Sequence, residues 1–313
     1  MDLNLLRKEL LSGKRRALSQ AITLTESQRS EDRTAAAELL ESFSAIPGKS
    51  QRIGITGIPG AGKSSFIEGL GSFLLAQGYK VAVLPIDPSS PISGGSLLGD
   101  KIRMQDLSQH THAYVRPAAT GSTHGGISPG TRESIRLCEV AGYEIIFVES
   151  VGQGQQEGHI TQLVDLCLLL LITGAGDEWQ TMKKGVLETA DLSIIHKADG
   201  KNKEQAQKTA TQYKQHSQSP VISFSSLNPQ QNKWKKLWED IQVLFQQKDI
   251  SQHRTQQHRY WLQQYLEKTC LEQLYLDPEI QNLFQKAPAQ SPHDPLYQAR
   301  SLITAYYKRI TQK

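Results

Sequence analysis

Apolar positions along the chain follow two rhythms. From Leu3 to Phe43 they recur at helical spacing: Leu3, Leu5, Leu6, Leu10 and Leu11 open one face, and Leu18, Ile22, Leu39, Leu40 and Phe43 continue it after polar breaks. Ser44 to Ser50, with Pro47-Gly48 inside it, ends this arm. Short aliphatic and β-branched runs then alternate with helical stretches: Arg52–Thr56, Val81–Ile86, Ala113–Val115, Glu144–Val148, Leu166–Ile172, Leu192–Ile195 and Val221–Phe224. Several runs are apolar throughout, which predicts parallel strands covered by helices on both faces. The helical period then returns with Trp234, Leu237, Trp238, Ile241, Leu244 and Phe245, and again with Tyr260, Leu262, Tyr265, Leu266, Leu271 and Leu274. The expected fold class is α/β: a mostly parallel central sheet flanked by helices, with helical extensions at both ends. The expected divisions are an N-terminal arm at 1–46, a core at 47–228 and a C-terminal extension at 229–313, the last a candidate dimerisation region.

Composition narrows the function classes. The 313 residues are 38% hydrophobic and 21% charged, ordinary for a globular chain and against wholesale disorder. The net charge of +4 is too small over this length to argue for nucleic-acid binding. It is uneven, with 19 basic and 22 acidic side chains in 1–200 against 16 and 9 in 201–313, which reads as the solvated faces of the C-terminal helices. The longest apolar run, Leu166–Ile172, is far short of the roughly 18 residues of a membrane span, and Met1 to Arg16 intersperses charges among its leucines, unlike a secretory signal. Cys138, Cys167 and Cys270 are too scattered for a disulfide framework or a Cys-x-x-Cys metal site. A cytoplasmic protein without nucleic-acid or membrane partners is expected.

One stretch carries chemistry plainly. Gly57-Ile58-Pro59-Gly60-Ala61-Gly62-Lys63-Ser64 fits the phosphate-loop pattern Gly-x-x-x-x-Gly-Lys-Ser/Thr, between a strand-like and a helix-like segment. The core is therefore expected to be a P-loop NTPase, with Gly57, Pro59, Gly60, Ala61, Gly62, Lys63, Ser64 and Ser65 around the phosphates of a bound nucleotide. Glycines let backbone N–H groups converge into an anion nest at a helix N-terminus. Lys63 then reaches the β- and γ-phosphates, and the Ser64 hydroxyl serves Mg²⁺. Acidic groups at neighbouring strand ends complete a metal site: Asp87 after Val81–Ile86, Glu149 after Ile145–Val148, and Asp100 in a loop rich in Gly and Ser. The Gly-rich loop after Glu149 offers Gly152 as a γ-phosphate contact and Gln155 or Gln153 to orient water.

Base choice is written later in the chain. Guanine presents two adjacent donors that one carboxylate can accept together, and adenine cannot satisfy that pair. His196-Lys197-Ala198-Asp199 follows a strand where GTPases carry Asn-Lys-x-Asp, making Asp199 the guanine reader and the stem of Lys197 a cover for the ring. Ser225, Ser226 and Leu227 resemble the Ser-Ala-Leu element that faces the guanine oxygen. GTP and GDP are thus expected as the bound nucleotides.

Together these segments resemble the methylmalonyl-CoA mutase-associated GTPases of the MeaB/ArgK type. The resemblance also rests on Asp87-Pro88-Ser89-Ser90, on Ser93 to Lys101, on Thr131-Arg132-Glu133 through Cys138 to Tyr143, and on Gly174 to Glu178 with Lys183-Lys184-Gly185. It implies a metal site of Ser64, Asp87, Asp100 and Glu149, switches near 88–104 and 150–160, and a third switch at Thr173–Lys184. It further implies a homodimer that hydrolyses GTP slowly alone and acts as chaperone to a cobalamin-dependent acyl-CoA mutase, gating adenosylcobalamin loading or protecting that enzyme. Two alternatives share the P-loop. A metallochaperone needs a Cys/His cluster, for which His110 and His112 are the nearest material; a kinase needs an acceptor pocket.

Overall fold

The computed structural model describes residues 2–27, 29–86, 104–116, 130–150, 157–173, 189–215, 217–227, 231–286, 299–300, 303–304 and 306–308. The chain forms two compact units, residues 1–250 and 251–313. The first opens with α1 (Leu3–Leu11), α2 (Arg15–Glu26) and α3 (Ser30–Glu41). The Asp2 carboxylate starts α1 by accepting from the amides of Asn4 and Leu5 at 2.9 and 3.1 Å, satisfying donors that have no partner within the helix. Burial selects among the leucines of the arm. Leu6, Leu10, Leu18, Ile22, Leu39 and Phe43 are buried, whereas Leu5 and Leu11 are 55% and 47% exposed. Leu6 and Leu10 are four apart and share a face; Leu5 and Leu11 stand one position off it. The Arg15 guanidinium donates to the carbonyls of Ser108 and His110, at 3.2 and 3.3 Å, and Arg116 pairs with Glu26 at 2.5 Å, tying the arm to the layers behind it.

The sheet comprises β1 (Gln51–Gly57), β2 (Val81–Ile86), β3 (Ala113–Val115), β4 (Ile145–Ser150), β5 (Leu166–Leu171), β6 (Leu192–Ile195) and β7 (Val221–Ser223). They lie in the order β3-β2-β4-β1-β5-β6-β7, and each described ladder is parallel. Every residue of β5 is buried, as a central parallel strand requires. The helices α4 (Lys63–Ala76), α5 (Gln105–Gln109), α6 (Thr131–Val140), α7 (Lys203–Lys214) and α8 (Gln231–Gln247) accompany the sheet. Trp234, Leu237, Trp238 and Ile241 of α8 join the core, with the Trp234 ring 5.8 Å from Phe66 and 4.6 Å from Phe224. The sheet and helices expected from the sequence are present, with strand ends moved by one or two residues. Parallel strands align all their carboxyl ends along one edge, and β1, at the centre, delivers its following loop to the middle of that edge.

The second unit is helical. It takes in nearly all of α9 (Ile250–Leu276) and the whole of α10 (Pro278–Lys286), with Asp277 between them accepting from the Ile280 amide at 3.2 Å. Leu262, Leu266, Leu271, Tyr275 and Leu276 of α9 are exposed. Among the described residues no helix is long and apolar enough to cross a membrane.

Candidate functional site

The loop after β1 turns through left-handed backbone, with φ of +139° at Gly57, +79° at Gly60 and +88° at Gly62. Within the turn the Ala61 amide donates to the Ile58 carbonyl at 3.2 Å, and the Phe66 amide reaches back to Gly62 at 2.9 Å to open α4. Pro59, Gly60 and Ser65 are exposed at the rim, while Ala61 is buried. Lys63 is also buried, its ammonium donating to the carbonyls of Gly57 at 2.8 Å and Ile58 at 3.2 Å. The loop's own carbonyls thereby hold the lysine along the cradle.

Strand register brings acidic and hydroxyl groups to the same place. Ile55 of β1 lies opposite Glu149 of β4, so Glu149 stands one strand away from the turn that leads into Ser64 at the start of α4. The Ser64 hydroxyl donates to Glu149 Oε1 at 2.8 Å, and beneath them Ser150 Oγ donates to Thr56 Oγ1 at 2.9 Å. A hydroxyl beside a carboxylate is an all-oxygen donor pair, the type that hard divalent cations select. Ser150 and Thr56 carry no sequence signal of their own. Their role in joining the tips of β1 and β4 follows only from strand order.

The other end of the site forms after β6 and β7. Asp199 Oδ2 accepts from the Ser225 hydroxyl at 2.5 Å, and Ser225 Oγ accepts from the amide of Leu227 at 3.1 Å. Leu227 is 69% exposed. Lys197 adopts a left-handed φ of +57°, a rare state for a residue with a Cβ, which bends the chain sharply between β6 and Asp199. Between the two ends sits His196, buried, with Nδ1 2.6 Å from the Ala61 carbonyl and Nε2 2.8 Å from Ser226 Oγ. Burial, chiefly, holds its imidazole below the usual histidine range, and the Lys197 charge acts in the same direction; the Ala61 hydrogen bond and Asp199 oppose them. In the sequence His196 is only a departure from the Asn of Asn-Lys-x-Asp. The structure shows it spanning two loops.

Asp87, Asp100, Gly152, Gln153 and Gln155 lie outside the described residues, as does most of the third switch at Thr173–Lys184. His110 and His112 are adjacent, but the His112 amide donates to His110 Nδ1 at 3.1 Å in a local turn. Among the described residues no three His, Cys, Asp or Glu side chains gather as a metal site.

Comparison with known proteins agrees with this fold. The family described as Methylmalonyl Co-A mutase-associated GTPase MeaB matches residues 18–278. A putative GTPase of Caulobacter vibrioides is 47% identical over 214 residues, 68% of this chain and 65% of that protein, so the match spans just under two thirds of the relative. The mitochondrial methylmalonic aciduria type A homolog of Mus musculus is 36% identical over 87% of this chain and 71% of its own. Among solved structures, a LAO/AO transport system kinase aligns over 97% of both chains with a TM-score of 0.73 and 29% identity. A phosphate-loop turn at the centre of a parallel sheet, matched by a family model across most of the chain, leads to one conclusion: the protein belongs to the methylmalonyl-CoA mutase-associated GTPase MeaB family, whose members hydrolyse GTP.

Proposed function

We propose that this GTPase serves as a chaperone for a cobalamin-dependent acyl-CoA mutase, using its nucleotide cycle to gate adenosylcobalamin loading or to protect the enzyme. The observation that carries this reading is the match of a mutase-associated GTPase family to residues 18–278, supported by the methylmalonic aciduria relative. The protein would act in the cytoplasm as a homodimer. The exposed Leu262, Leu266, Leu271, Tyr275 and Leu276 of α9 offer apolar side chains that a second copy would cover. Native lysate passed over the protein loaded with a non-hydrolysable GTP analogue should yield a cobalamin enzyme. Its absence while the protein holds nucleotide would rule the chaperone reading out.

In this reading the amides of Gly57 to Ser65 hold the phosphates, with Pro59 shaping the turn, and Lys63 turns from the Gly57 and Ile58 carbonyls to the β- and γ-oxygens. Ser64 and Glu149, with Asp87 and Asp100, would hold Mg²⁺, and the oxygen pair described above fits that ion. When bound, Mg²⁺ supplies neutralisation of charge building on the bridging phosphate oxygens. Gly152 would donate its amide to the γ-phosphate while Gln155 orients the attacking water. At the far end Asp199 accepts the two guanine donors, Lys197 lies over the ring, and Ser225, Ser226 and Leu227 border the base. The Ser225 hydroxyl fixes one carboxylate oxygen of Asp199, which settles its orientation before the base arrives. Asp199→Asn is expected to weaken GDP on the order of a hundredfold in a fluorescence titration, as charged hydrogen bonds are lost. ATP should be unaffected, and equal losses for both nucleotides would remove Asp199 from base choice.

A further inference from the structure

His196 stands at a position where a side chain must satisfy two loops at once. The Ala61 carbonyl can only accept, so the imidazole must carry its proton on Nδ1 to make the 2.6 Å contact. A neutral ring then has a lone pair on Nε2, and the Ser226 hydroxyl, 2.8 Å away, donates to it. The ring is pinned sideways as well. Phe66 meets it edge-on at 5.9 Å, and a Cβ on residue 62 would lie 2.8 Å from its Cε1 and Nδ1, so the ring packs where only a glycine leaves room. The charged groups that act on it are Lys197 and Asp199 on its own loop. From the opposite side, α4 contributes Lys63, whose ammonium is turned to the Gly57 and Ile58 carbonyls.

We infer that His196 is a positioning residue that locks the phosphate loop to the base loop through a single neutral imidazole, protonated on Nδ1. Ala61 belongs to the turn assigned to the phosphates, and Ser226 adjoins Ser225, which orients Asp199. One ring therefore sets the separation between the two ends of the site. A nucleotide gripped at both ends benefits from that separation being fixed beforehand, whereas a ligand that uses the phosphate end alone does not. This inference rests on the proposed placement of GTP between the Gly57–Ser65 loop and Asp199.

The experiment is calorimetric titration of the full chain with GDP and, separately, with inorganic tripolyphosphate. His196→Ala is expected to weaken GDP roughly tenfold and tripolyphosphate by less than about twofold. His196→Asn keeps a donor toward Ala61 and should stay within about threefold of the native affinity for GDP. Ser226→Ala should cost several-fold in the native protein and nothing further in the His196→Ala background, because the bond it removes is already gone. Equal losses of GDP and tripolyphosphate in His196→Ala, or the same Ser226→Ala effect in both backgrounds, would reduce His196 to packing and overturn the inference. Nitrogen-15 NMR of the native protein provides a readout that needs no variant to fold: a neutral ring with its proton on Nδ1 at pH 7 is expected, and an Nε2–H tautomer or an imidazolium would refute the lock. Native protein that binds tripolyphosphate but not GDP would refute the placement of the base at Asp199 and leave the tautomer result standing.

Discussion

Lys63→Ala is expected to lower GTP turnover on the order of a thousandfold, measured as phosphate release from saturating GTP. The lysine is buried beside the loop, and its ammonium lies 2.8 and 3.2 Å from two carbonyls of that loop. Those carbonyls aim a full positive charge along the cradle without neutralising it. Methyl in place of the butylammonium chain leaves the loop backbone in position but removes the charge that would offset developing negative charge on the transferred phosphoryl group. An arginine is not an equivalent replacement, since its planar fork is larger than an ammonium and presents its donors in a different geometry. The thermal midpoint should be followed in the same preparation. Unchanged turnover in a folded variant would remove the site from this loop altogether.

The second large effect concerns the architecture itself. Gly57→Ala is expected to lower the thermal midpoint by on the order of 10 °C and to abolish GDP binding in the fraction that folds. Gly57 has a φ of +139°, a region that residues with a Cβ almost never occupy, and an added Cβ would lie 2.1 Å from the Leu170 carbonyl oxygen. Leu170 is its ladder partner on β5, so the clash falls on backbone, which cannot turn aside as a flexible side chain can. Backbone strain and overpacking of this kind cost about 1–3 kcal/mol each. Relief requires β1 to separate from β5 at the point where the phosphate turn begins. Scanning calorimetry checks this, and a midpoint within about 2 °C of the native protein would show that the turn is held less tightly than its contacts indicate.

The sequence and the structure meet most closely where information is local. The run from Leu166 to Leu171 is read correctly as a strand because a strand buried on both faces must be apolar throughout, and that condition is visible in the run itself. The phosphate loop is equally legible, since its glycines are required by the backbone at their own positions. The helical arm shows where such reading stops. Its leucines announce a helix, but Leu5 and Leu11 face solvent while Leu6 and Leu10 are buried, and only the neighbouring helices determine that choice. For α9 the apolar positions are equally plain, yet Leu262, Leu266 and Leu271 remain exposed within this chain.

Sequence alone therefore determined the α/β class, the presence and approximate position of the strands, and the glycine-rich phosphate-loop turn, because each is fixed by residue type within a few positions. Tertiary structure decided which distant groups meet. Ser64 reaches Glu149 across 85 positions of chain because parallel register sets β1 beside β4. His196 becomes a bridge instead of a lost asparagine because the turn after β1 and the loop after β7 bring Ala61 and Ser226 to either side of one ring at the end of β6. A hydrogen bond depends on separation and direction in space, and neither is encoded by the spacing of residues along the chain.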